Sequence, residues 1–148
     1  MFKVIAFITF LGCFIVTPIA QSRTTCSTTP LSPIEAKHLL KFIPQAITAK
    51  KAGGKLDVVN WNPGTSYRKD LFYFFFLLVN DKGMQKTVLN NGVIGYFAVN
   101  KIDGDVFEAL VPSIIEDKVL MKMQAKIRTK HCIGKDLIEK YQDILPTK

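Results

Sequence analysis

The chain has 148 residues, with 20 Lys+Arg against 12 Asp+Glu and a net charge of +8. That is about one domain's worth of sequence. Hydrophobic residues make up 48% and aromatic residues 11%, which excludes an intrinsically disordered chain. Three cysteines are too few for a disulfide-dense miniprotein, and seven prolines with nine glycines exclude a collagen-like or linker-type chain.

The first segment reads as an address. Met1-Phe2-Lys3 is a short basic start, Val4–Val16 carries no charge, and Ala20-Gln21-Ser22 supplies small residues before a cut after Ser22. These are the three parts of a secretory signal peptide over residues 1–22. The apolar run is shorter than the roughly 20 residues a spanning helix needs. Removing it takes away one basic residue, Lys3, and leaves 19 basic and 12 acidic residues, net +7, in a single domain over residues 23–148. The exported chain keeps two cysteines, Cys26 and Cys132. Two thiols in an oxidising compartment predict one disulfide. Closing a loop of about 100 residues is worth up to ~4.7 kcal/mol in the chain-entropy model.

Residues 23–31 form a polar leader. Ser32 then stands as an N-cap, with Pro33 at the first helical position and Glu35 three residues on, a capping box. Ala36, Leu39, Leu40, Ile43 and Ile47 recur at helical spacing. Pro44 must kink or end that helix, and Gly53-Gly54 stops any helical turns that remain. From Leu56 the period changes to that of strands. Leu56–Trp61 is the first candidate, and Leu71–Val79 (LFYFFFLLV) the second. Met84–Leu89 is the third, with a tight turn at Asn90-Asn91-Gly92. Val93–Asn100 comes next, then an Asp103-Gly104 hairpin turn, then Asp105–Val111. A helical stretch is expected from Pro112-Ser113 to about Lys130, with Val119, Leu120, Met123 and Ile127 on one arc. A short helix over residues 135–145 ends before Pro146.

The pattern predicts an α+β fold. An N-terminal helix packs on a four- to five-stranded antiparallel meander, and C-terminal helices complete it. In Leu71–Val79 one face presents Tyr73, Phe75, Leu77 and Val79, and the other Phe72, Phe74, Phe76 and Leu78. A sheet with one wet face alternates apolar with polar. This strand therefore needs cover on both faces: a helix on each, or else a partner or second copy of the chain on one.

One helix followed by an antiparallel meander resembles the cystatin-like folds. The hairpin sequence Gly95–Phe107 (GYFAVNKIDGDVF) is similar to that of PepSY-type small exported bacterial domains. The resemblance spans residues 32–111. It implies protein binding, since PepSY-type domains are associated with binding or restraining envelope peptidases. The chain lacks the Gln-Val-Val-x-Gly-type loop of true cystatins, so cysteine-protease inhibition is not implied and no binding residue carries over.

No reactive constellation stands out. His38 and His131 are far apart without HExxH or CxxC, so neither a metal nor another cofactor is expected, and there is no G-x-S-x-G elbow or Walker-type loop. The catalytic set is empty. Adjacent His131 and Cys132 are the one thiol–imidazole pair, and the disulfide is the simpler use of that cysteine. Asp103 and Asp105 flank a hairpin glycine and need no calcium to explain them. The candidate binding surface is the basic stripe Lys118, Lys122, Lys126, Arg128 and Lys130, whose bland reading is a solvated helix edge. Trp61, Tyr73 and Tyr96 are candidate aromatic contacts. Nucleic acid is not the expected partner of an exported chain without a stacking pattern.

Three functional readings fit these residues. The first is a non-catalytic protein-binding domain in the periplasm or outside the cell, an inhibitor or immunity-type protein for an envelope enzyme, its partner acidic. The second is a small enzyme or ligand carrier with a pocket between sheet and first helix, where Tyr73, Tyr96, His38 and an acid would have to converge. The third is a peripheral binder of anionic membrane surfaces. A homodimer is compatible with each.

Overall fold

The structure, a computed structural model, describes residues 28–79 and 92–148. The signal segment, Cys26, the expected strand Met84–Leu89 and residues Asn90-Asn91 lie outside the described residues.

Helix α1 (Pro33–Leu39) begins at the expected capping box. The Glu35 N–H donates to Ser32 Oγ at 3.3 Å, and the Ser32 N–H donates to Glu35 Oε2 at 2.9 Å. A short 3-10 turn (Leu40–Phe42) comes next, and Pro44 opens a second helix, α2 (Pro44–Lys51). Ile43 is extended, with φ −69° and ψ 153°, as the residue before a proline prefers. The proline thus ends one helix and starts the next. Gly53, at φ +87°, terminates α2. Its N–H reaches the Lys50 carbonyl at 3.0 Å, and that of Gly54 reaches Ala49 at 3.0 Å, a double capping that needs the left-handed residue.

Among the described residues, five antiparallel strands lie in the order β1-β2-β3-β4-β5. They are β1 (Leu56–Asn60), β2 (Phe72–Val79), β3 (Val93–Asn100), β4 (Val106–Glu108) and β5 (Ser113–Ile114). Phe75 faces Phe97 across β2 and β3, and Val99 faces Val106 across β3 and β4. The β3–β4 turn needs Gly104 at φ +77°. The helical stretch expected from Pro112-Ser113 is corrected. Ser113–Ile114 pairs with Phe107–Glu108 as β5, and the Ile115 N–H continues the ladder to the Val106 carbonyl at 2.8 Å. Helix α3 (Lys118–Lys130) starts five residues later, where Asp117 caps the N–H groups of Val119 and Leu120 at 2.8 and 3.1 Å. Helix α4 (Lys135–Tyr141) completes the fold.

Both faces of β2 are covered, by different means. On one, Phe75, Leu77, Phe97 and Val99 pack against Leu39, Leu40 and Ile43 from the N-terminal helical segment and against Leu120 and Ile127 from α3. On the other, Phe72, Phe74, Ala98 and Phe107 pack with Trp61, Tyr67, Leu71 and Ile144. No residue of a described helix belongs to that second cluster. The β1–β2 connection and the C-terminal tail close the face together. Arg68 N–H donates to the Pro146 carbonyl at 2.9 Å, Lys148 N–H donates to the Ser66 carbonyl at 2.8 Å, and Tyr67 bridges to Thr147.

Candidate protein-binding surface

The basic stripe divides into two sets. Arg128 turns inward: Nη2 donates to Asp105 Oδ1 at 2.7 Å and Nε to the Asp103 carbonyl at 2.8 Å. Lys130 Nζ donates to Glu35 Oε1 at 2.6 Å. These two hold α3 to the β3–β4 turn and to α1. Arg128 is mostly buried in its pair, whereas Lys130 keeps 70% of its side chain exposed while reaching Glu35. Lys118, Lys122 and Lys126 are exposed and make no hydrogen bond or ion pair among the described residues.

The inward face of α3 also differs from expectation. Val119, read as core, is 46% exposed, whereas Gln124 is buried. The Gln124 amide donates to the Gly104 carbonyl at 3.1 Å and to Asp105 Oδ1 at 3.3 Å. The turn brings polar groups under the helix, and a glutamine satisfies them where a valine cannot. Burial pushes Asp105 upward against the pull of Arg128. Burial, with Asp105 beside it, pushes Asp103 up to about 6.

Val119 joins a run of exposed apolar residues that sequence reasoning missed. Seven large apolar side chains are exposed among the described residues, and five of them fall within residues 110–121: Leu110, Val111, Ile114, Val119 and Met121. They sit on the β4–β5 connection, on β5 and on the first turn of α3, next to Lys118 and Lys122. The shortness of β4 was the hidden signal. Leu110 and Val111, read as the end of a strand, lie past it in the turn.

The candidate aromatics separate. Trp61 packs edge-on against Tyr96 at 4.9 Å between centroids, and against Tyr67 at 5.4 Å and Phe74 at 5.9 Å. Tyr73 lies on the opposite face, its hydroxyl donating to the Leu31 carbonyl at 3.0 Å, with the Lys101 ammonium 4.8 Å from its ring centroid. Trp61 and Tyr96 cover the second face of the sheet, and Tyr73 anchors the leader. His38 is exposed, its ring edge-on to Phe42. Tyr73, Tyr96 and His38 therefore do not converge, and the space between sheet and first helix is filled by Leu39, Leu40, Ile43, Phe75 and Leu77.

His131 is engaged on both ring nitrogens, with Nε2 2.9 Å from Glu35 Oε1 and Nδ1 2.8 Å from Thr29 Oγ1. Thr28 Oγ1 lies 3.5 Å from the Cys132 carbonyl, so the leader runs back beside that cysteine. Among the described residues, no cluster of His, Cys, Asp or Glu could hold a metal ion, and no helix is long and apolar enough to cross a membrane.

No family model matches the chain, and no curated protein matches it. Among solved structures, a chain from a type VI secretion system effector–immunity complex of Pseudomonas protegens is similar in fold, with a TM-score of 0.50 and 15% identity over 80% of this chain and 91% of that one.

Proposed function

We propose that this chain is an exported, non-catalytic protein-binding domain of the immunity type, which neutralises a cell-envelope enzyme by covering it with the β4–β5 connection and the start of α3. The observation that carries the reading is the gathering of Leu110, Val111, Ile114, Val119 and Met121 into one short segment flanked by lysines without internal partners among the described residues. An apolar centre with a polar rim is how protein interfaces are built. The lysines steer an acidic partner and set its register. The likeness in fold to a chain of an effector–immunity complex is consistent with this role. Export through residues 1–22 and a Cys26–Cys132 bridge belong to the same proposal. Thr28 beside Cys132 leaves Cys26 two residues away along the chain.

The test is capture from envelope extract by the mature chain, followed by titration of the purified captured enzyme. Stoichiometric loss of that enzyme's activity supports the reading. A Met121→Asp variant and a Lys118→Glu/Lys122→Glu/Lys126→Glu variant should each weaken capture by about 1–3 kcal/mol. Undiminished capture by both variants refutes the surface. Sedimentation with anionic vesicles, lost at high salt, with no enzyme captured, would replace the protein partner by a membrane.

A further inference from the structure

The opposite edge of the sheet carries a second surface. Strand β1 pairs with β2 alone among the described strands. The ladder decides which of its backbone groups face outward. Trp61 N–H donates to the Phe74 carbonyl at 2.9 Å, and the same register sets Val59 opposite Phe76 and Asp57 opposite Leu78. Bonded and non-bonded pairs alternate in an antiparallel ladder. Asp57 and Val59 therefore bond to β2, and the N–H and C=O groups of Leu56, Val58 and Asn60 point away from the sheet.

Leu56 and Val58 border a groove of about 360 Å³ between β1 and α1, lined also by Ile34, Lys37, His38, Lys41 and Asp57. Ile34 is 80% exposed on its wall. The Lys37 ammonium lies 5.9 Å from the Phe75 ring centroid, and Lys41 makes no bond among the described residues. Natural sheets blunt a free edge with proline, a bulge or charge on the strand itself. Strand β1 has no proline and no bulge, and its single charge, Asp57, lies on the groove beside Lys37 and Lys41.

We infer that the β1 edge docks an extended, acidic segment of another protein, which adds a strand through the outward groups of Leu56, Val58 and Asn60 and sets its carboxylates against Lys37 and Lys41. Strand addition draws affinity from main-chain bonds and specificity from alternate side chains. Here one side of the added strand faces Ile34 and two lysines against the single carboxylate of Asp57, a net positive wall, so alternation of acidic residues along that side is the fitting chemistry. A second copy of this chain fits poorly. Two-fold pairing of β1 with itself would bring both α1 helices to the same face and set Lys37 and Lys41 of one copy against those of the other. This surface lies across the sheet from β5 and does not rest on the α3 patch.

The test uses the full mature chain and a synthetic peptide of alternating glutamate and valine, read by amide hydrogen exchange. In the free protein the amides of Leu56, Val58 and Asn60 should exchange fast, and the peptide should protect them. Lys37→Glu/Lys41→Glu should weaken binding about tenfold, with the loss shrinking as salt screens the pairs. Asn60→Pro removes an outward N–H and no ladder bond, so it should abolish binding while the melting temperature holds. Slow exchange in the free monomer would show the edge already covered by its own chain and overturn the inference. So would protection that rises with protein concentration alone, which marks a second copy. Equal binding of a lysine–valine peptide, or no binding of the glutamate–valine peptide, would overturn it as well.

Discussion

Arg128 Nη2 meets Asp105 Oδ1 at 2.7 Å, with 20% of the arginine side chain and 9% of the aspartate side chain exposed. This contact ties the last turn of α3 to the turn between β3 and β4. Truncating one member of such a pair leaves the other buried and uncompensated. Arg128→Ala should lower stability by roughly 3 kcal/mol, seen as an earlier urea midpoint. Lys122→Ala, on the exposed side of the same helix, should stay within about 0.5 kcal/mol.

Asp103 makes the opposite contribution to pH dependence from a paired carboxylate. Its Oδ1 accepts from the Asp105 N–H at 2.8 Å, while its buried Oδ2 has no partner among the described residues. Burial first, and Asp105 second, raise it to about 6, against an ordinary aspartate near 3.9 in the unfolded chain. The native state then keeps a proton that the unfolded state has lost. Asp103's contribution is complete below about pH 4 and disappears as pH rises through about 6. Relative to wild type, Asp103→Asn should gain on the order of 3 kcal/mol between pH 4 and pH 7. Urea unfolding of both proteins at the two pH values measures it, and an unchanged difference would contradict the assignment.

Glu35 carries the reverse sign. Lys130 is the main cause holding it well below the usual carboxylate range, helped by His131 and Ser32 against the effect of burial. Its stabilisation is present above the unfolded-state value near 4.3 and is lost as pH falls toward the depressed native value. Glu35→Gln should cost about 1 kcal/mol at pH 7 through the weakened cap and lost ion pairs. That cost should shrink in acid. Lys130→Ala should cost less, because Lys130 is 70% exposed and its ion pair is screened by solvent.

A methyl group at Gly95 would stand 2.8 Å from Phe97 Cζ, and Phe97 is buried in the helix-side core. The buried ring must shift to admit it, so Gly95→Ala should destabilise by about 1–3 kcal/mol. At Gly64 the same methyl meets nothing within 4 Å. Gly64→Ala should be close to neutral, and a pair of thermal melts separates the two.

The features legible in sequence are those whose cause is local. Ser32, Pro33 and Glu35 make a cap within four residues, Pro44 breaks a helix by its own ring, and Gly104 makes a turn by its own φ. Phe72–Val79 reads as a strand covered on both sides because its composition leaves no wet face. Lys118, Lys122 and Lys126 are visible as an exposed row because their spacing of four puts them on one helix edge and a charged group stays in water. The departures are long-range. Nothing near Ser113 announces that it will pair with Glu108, and nothing near Arg128 says that it will reach Asp105.

From the residues alone come the α+β class and the demand that both faces of β2 be hidden, since propensity, capping and periodicity act over a few bonds. Only the assembled chain decides how that demand is met and which charges stay free. Ser66 and Lys148, or Glu35 and Lys130, become neighbours through packing of distant segments. The burial of Asp103 and Asp105 then selects which cation turns inward, while Lys118, Lys122 and Lys126 stay exposed.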